Sequence, residues 1–392
     1  MPWSLIGADR AKLTIGGMLL RDRFPHSLLI TGAPGGGKRT MALDIAKALN
    51  CLNPGEGGAP CQECLACRKT GSLNHPDVAF LAPAGRAGNI PIKDIRELSD
   101  RLAFKPYEGR NKVAIISSAN RLSNDSGWAL LKTLEEPTPN TVIMLTAPSA
   151  GMIMPTLASR CVRLGLPPLP RGPLLAAIRG NRGYEGPEAE LLAGLSCGAL
   201  GKALGLDPAK ATAMWEGIGE VFEAPTTPGR LIRAKEFTDR LIPMMGLSRK
   251  VADALESADG EDSPDDSDSS EDAEGAGESA APAAPAPAKS GRGRKAAPKP
   301  KPVTPSAWQN ETLDLFVAAV RLWFRDALLL KATGDPSLLE GPPPGAALRA
   351  YARALPPRAG GGFERAVFRL LDSLYRYLRP ELAFGAFWLS VL

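Results

Sequence analysis

The sequence predicts an α/β fold followed by an all-α region. Two observations predict it. Up to about Leu164, short β-rich runs alternate with stretches of helical periodicity, the pattern of a parallel sheet flanked by helices. Beyond that point only helical periodicity recurs, with large apolar residues at helical spacing.

The first strand is Ser27-Leu28-Leu29-Ile30-Thr31, and the second is Val113-Ala114-Ile115-Ile116. A third runs from Thr141 to Thr146, and each of the three is bounded by Gly, Pro, Asn or Ser. Ile92, Ile95, Leu98 and Leu102 mark one helix between them; Leu130, Leu131 and Leu134 mark another. Residues 1–164 therefore read as a nucleotide-binding-type α/β domain. A small helical unit is expected over 165–206, entered through Leu166-Pro167-Pro168-Leu169-Pro170. A larger helical domain is expected over 207–256 and 307–392. Its amphipathic helices are marked by Leu313, Phe316, Val317, Val320, Trp323 and Phe324, and by the stretch from Phe363 to Tyr377. Between its two parts, residues 257–306 run from Asp/Ser/Glu-rich to Ala/Pro/Lys-rich with almost no large apolar side chain. Burial there cannot offset the entropy of ordering, so a disordered linker is expected.

Composition narrows the function classes. The 392 residues are 44% hydrophobic, enough for a substantial core, and no apolar run of about 18 residues suggests a membrane span. The first residues lack the basic-then-apolar pattern of a secretory signal, so a cytoplasmic protein is expected. The net charge of +5 conceals an asymmetry: residues 256–301 hold 11 acidic and 6 basic side chains, and the remainder 41 basic against 31 acidic. That excess suits a polyanionic partner and equally a solvated basic surface.

Gly32-Ala33-Pro34-Gly35-Gly36-Gly37-Lys38 follows the first strand and opens a helix, the setting of a phosphate-binding loop. Backbone N–H groups freed by Gly32, Gly35 and Gly37 would curl around phosphate oxygens, and Lys38 would reach the terminal phosphates. The next position should carry a hydroxyl for magnesium but is Arg39, with Thr40 one place later. The second strand ends in Ser117-Ser118-Ala119-Asn120, where a hydrolysing enzyme places carboxylates. Two defects in one site argue against hydrolysis and leave room for ATP or ADP to be held without turnover.

Cys51, Cys61, Cys64 and Cys67 form a C-x9-C-x2-C-x2-C array. Four thiolates at such spacing can close a tetrahedral structural zinc site, expected as a module over 51–67; a dithiol redox role is the alternative. Cys161 and Cys197 read as ordinary buried cysteines.

Several segments resemble the clamp-loader branch of the AAA+ proteins: Ala129 to Pro137 (ALLKTLEEP), Ser159-Arg160-Cys161, His75-Pro76-Asp77, and Gly198 to Ala203 (GALGKA). The resemblance covers about residues 1–206, and the helical remainder matches in type only. It implies an AAA+ phosphate-loop domain with an inserted zinc module, a helical lid domain and a helical collar domain. By the same resemblance, Arg160 is an arginine finger offered in trans to ATP on a neighbouring motor subunit. The partners implied are motor subunits and a further subunit in a five-membered ring, which sets a sliding clamp on primed DNA. The chain is then no enzyme by itself, though part of a DNA polymerase assembly. Lys132, Glu135 and Glu136 are expected to be solvated or to serve in ion pairs between subunits, and Lys202 stands where active relatives carry a nucleotide-sensing basic residue, with a packing or surface role its equal alternative. An active ATPase motor of the same family is one alternative, against which Arg39, Ser117 and Ser118 speak. A zinc-dependent DNA-binding adaptor is the other.

Overall fold

The computed structural model describes residues 3–83, 88–245, 311–343, 345–355, 360–375 and 379–392. The linker expected over 257–306 lies outside the described residues, as does residue Tyr377, at the end of one predicted helix.

The first half alternates helices and strands: α1 (Asp9–Leu20), β1 (Ser27–Thr31), α2 (Lys38–Asn50), α3 (Leu65–Gly71), β2 (Val78–Leu81), α4 (Ile92–Leu102), β3 (Lys112–Ile116), α5 (Asn124–Glu135), β4 (Thr141–Ala147), α6 (Pro155–Ala158) and β5 (Val162–Gly165). The strands form one sheet in the order β2-β3-β4-β1-β5, parallel throughout. Alternation along β1 explains why its run is apolar on both sides. Leu28 and Ile30 join a cluster with Met41, Ala42 and Ile45 of α2, whereas Leu29 joins one with Ile95 and Leu98 of α4 and Leu130 of α5. Both faces are covered, as parallel sheets require.

Helices alone follow: α7 (Arg171–Arg182), α8 (Gly186–Ser196), α9 (Leu200–Gly205), α10 (Pro208–Glu223), α11 (Thr227–Met244), α12 (Glu311–Thr333), α13 (Ala346–Ala354), α14 (Gly360–Tyr375) and α15 (Pro380–Val391). Their starts carry the expected chemistry. Asp207 accepts from the N–H groups of Ala209 and Lys210 ahead of Pro208, and Thr226 accepts from Gly229 N–H. One apolar cluster runs from Leu174 in α7 to Trp388 in α15. At its centre Phe222 stacks on Trp323 at 5.7 Å, and Trp388 donates its indole N–H to Thr238 Oγ1 at 3.1 Å, so the buried ring keeps a polar partner. Among the described residues, no helix is long and apolar enough to cross a membrane.

Candidate nucleotide cavity, arginine pair and cysteine cluster

The loop between β1 and α2 runs through two left-handed glycines, Gly35 (φ 74°) and Gly37 (φ 84°). Close approach requires them as much as conformation does. A Cβ on Gly37 would meet Leu5 Cδ1 at 2.3 Å, and one on Gly35 would meet the Lys202 backbone nitrogen at 2.5 Å. Gly201 N–H donates to Gly35 O at 2.9 Å, joining the loop to α9. Lys38 Nζ donates to Gly32 O and Ala33 O, both at 2.7 Å, and burial lowers the pKa of its ammonium. Around the loop lies a cavity of about 740 Å³, lined among others by Lys38, Arg39, Thr40, Ser117, Asn120 and Arg121. Among the described residues, none that lines it is Asp or Glu.

The strand ends hold neutral groups at this cavity. Ser117 N–H donates to Leu81 O at 2.8 Å, and Ser118 N–H donates to Thr146 Oγ1 at 3.0 Å. Arg39 lies over the Phe80 ring, 4.4 Å from its centroid. Lys202 is not among the lining residues. The charge it faces is Asp314 of α12, whose carboxyl pKa is raised by burial and partly held down by Lys202.

Arg160 stands elsewhere. Its carbonyl accepts from Ser27 Oγ at 2.6 Å, which fixes it at the start of β1, while Lys38 lies beyond the end of that strand. The guanidinium donates from Nη1 to Thr156 O at 3.0 Å, and Nη2 lies 2.5 Å from Glu135 Oε1. Both side chains remain accessible, at 38% for Arg160 and 46% for Glu135. The sequence marks Glu135 as an ion-pair residue but does not name Arg160, 25 positions away, as its partner within the chain.

Sulfur atoms of Cys51, Cys61, Cys64 and Cys67 all lie within 4.8 Å of one another. The Cys61–Cys67 and Cys67–Cys51 separations are 3.9 and 3.7 Å. Four sulfurs about 2.3 Å from a common tetrahedral centre stand about 3.8 Å apart, so the cluster fits one zinc ion. Backbone N–H groups of Cys61, Cys64 and Cys67 point at the sulfurs of Cys51, Cys61 and Cys64. Burial pushes the Cys67 thiol up. At Cys64 burial acts the same way but is outweighed by backbone donors, chiefly Leu52 and Cys67, which bring it down to about 6. Gln62 ties this module to α2, donating to the buried Asp44, which also accepts from Ser4 and Leu5 N–H. Cys161 is buried, as expected. Cys197 is not: it is exposed, because it caps α8 in a left-handed conformation (φ 51°) that turns it out of the core.

The family model described as DNA polymerase III, delta subunit, matches residues 9–170. The DNA polymerase III subunit delta' of Bacillus subtilis is 36% identical over 150 residues, 38% of this chain and 44% of that protein. The subunit gamma/tau of Mycoplasma pneumoniae is 36% identical over 156 residues, 40% of this chain and 22% of that protein. Among solved structures, a DNA polymerase III gamma subunit-related protein from Thermotoga maritima is similar at 20% identity and a TM-score of 0.37, over 59% of this chain and 72% of that one. The chain thus spans less than half the length of either curated relative. Over residues 9–170, which hold the parallel sheet, the glycine-rich loop and the cysteine array, it is similar to the delta, delta' and gamma/tau subunits of DNA polymerase III.

Proposed function

We propose that this chain acts as a delta-prime-type, non-hydrolysing subunit of a DNA polymerase III clamp loader. Arg160 serves there as an arginine finger in trans for ATP bound by a neighbouring gamma/tau-type motor subunit. One observation carries the reading: Arg160 and Lys38 stand at opposite ends of β1, so the arginine lies apart from its own phosphate loop. A guanidinium on a side chain that stays 38% accessible suits a phosphoryl group that another molecule brings.

The missing carboxylates support the other half of the reading. Serine hydroxyls at the end of β3 neither hold a divalent ion strongly nor take a proton from water near neutral pH. The four cysteines hold a structural zinc ion that stiffens the segment against α2. Residues 165–206 serve as the lid, and 207–256 with 307–392 as the collar of a pentameric ring that also contains a delta subunit. The assembly sets a sliding clamp on primed DNA.

The non-hydrolysing half is tested by ATP turnover of the purified chain alone, with and without primed DNA. No turnover above background is expected; turnover that Lys38→Ala abolishes would make the chain a motor subunit.

A further inference from the structure

Among the described residues, the cavity at the glycine-rich loop is lined by Lys38, Arg39 and Arg121 and by no carboxylate. Sites of this kind that work with magnesium use a hydroxyl after the lysine and acidic residues at the neighbouring strand end. Here those places hold a guanidinium and two serines. Magnesium takes oxygen ligands, normally including a carboxylate, and would meet fixed positive charge instead. A polyphosphate has the opposite preference.

Three features fit such an anion. The Arg39 guanidinium is braced against Phe80; that residue pairs in register with Ile115, one place before the end of β3. The positive charge therefore lies beside the strand end where a metal would otherwise be held. Asn120, on the cavity wall, has a buried side-chain oxygen with no hydrogen-bond partner, an open acceptor for a base or sugar donor. The volume of about 740 Å³ lies within the range of nucleotide-sized pockets.

We propose that this cavity binds a nucleoside di- or triphosphate as a metal-free polyanion, with Arg39 supplying the positive charge that magnesium supplies in active sites of this type. The proposal rests on the phosphate-loop reading and not on Arg160, so the two can fail separately.

The test is fluorescence anisotropy of an N-methylanthraniloyl-labelled ADP titrated with the full chain, in EDTA and in excess magnesium. Binding in EDTA is expected to be at least as tight as in magnesium, because the ion neutralises charge that Arg39 would otherwise meet. Inorganic tripolyphosphate should displace the probe. Arg39→Ser should weaken the EDTA complex by about tenfold or more, the loss of a charge-assisted contact, with zinc content and melting temperature unchanged. Should Arg39→Ser misfold, Arg121→Gln serves in its place with the same expectation. Binding that requires magnesium, indifference to the substitution, failure of tripolyphosphate to compete, or no binding in either buffer would each overturn the proposal.

Discussion

Glu135 Oε1 lies 2.5 Å from Arg160 Nη2, joining the last residue of α5 to the second residue beyond α6. A carboxylate at a helix C-terminus faces the negative end of the helix dipole, a position that disfavours it. Arg160 offsets that cost. In return Glu135 and the Thr156 carbonyl hold the guanidinium in one orientation while leaving much of it accessible.

Glu135→Gln is expected to lower ATP turnover of a reconstituted clamp loader by about two- to fivefold, the scale of an exposed ion pair of up to about 1 kcal/mol. The fall should appear in kcat with KM for ATP unchanged. In an Arg160→Ala background the same substitution should do nothing further. Additive losses would show that Glu135 acts on its own.

Gly35→Ala should destabilise the fold by about 2 kcal/mol or more, because a Cβ there is strained at φ 74° and meets the Lys202 backbone. Gly17, with no atom within 4 Å of an added Cβ, provides the control. Its replacement by Ala in the middle of α1 should be neutral or stabilising by up to about 1 kcal/mol. Urea midpoints of the two variants decide the point, and equal midpoints would mean that the loop gives way without cost.

The zinc expectation is measured by metal content and thermal melting. About one ion per chain is expected, with the melting temperature lowered by a strong chelator and restored by zinc. Cys64→Ser should lose the metal and take the melting transition of the chelated protein. A chain that keeps its transition in chelator carries no structural metal.

His75 gives the fold an acid limit. It is buried, Nδ1 accepts from Asp77 N–H at 3.1 Å, and burial lowers its pKa from the ordinary 6.5 despite Glu108 and Asp77, which act to raise it; Lys69 acts with burial. Below about pH 6.5 the unfolded chain therefore binds a proton that the folded chain refuses. The stabilisation is complete above 6.5 and is lost as pH falls towards the folded-state value. Asp77 adds to this at lower pH. Its carboxylate pKa is held below the ordinary 3.8, burial being outweighed by N–H groups of Tyr107, Glu108 and Gly109, and its contribution is lost as pH falls through that lowered value. Stability measured from pH 8 to 5 should decline below 6.5, and His75→Gln should flatten that decline; an unchanged slope would assign it to other groups.

The sequence disclosed what repeats or contrasts along the chain. The apolar runs of β1, β3 and β4 were legible because all three are buried on both faces. The four-residue edge strands β2 and β5 were not: β5 buries only Leu164, and its strand character comes from pairing with β1. Arg39, Ser117 and Ser118 could be read as defects because a motif fixes what should stand there. The facing of Lys202 and Asp314, and of Arg160 and Glu135, could not, since each joins residues that the chain brings together only on folding. Cys197 was misread because its environment depends on the left-handed cap of α8, which its apolar neighbours hide.

The most direct test of the central claim is ATP turnover, stimulated by clamp and primed DNA, in a clamp loader reconstituted with the wild-type chain, Arg160→Ala or Arg160→Lys. Both variants should assemble. Arg160→Ala should reduce turnover by about a hundredfold or more, and Arg160→Lys should restore little of it, since an ammonium does not reproduce the planar donor set. Turnover unchanged in an intact Arg160→Ala assembly would contradict the account and leave Arg160 as a residue that only ties α6 to α5.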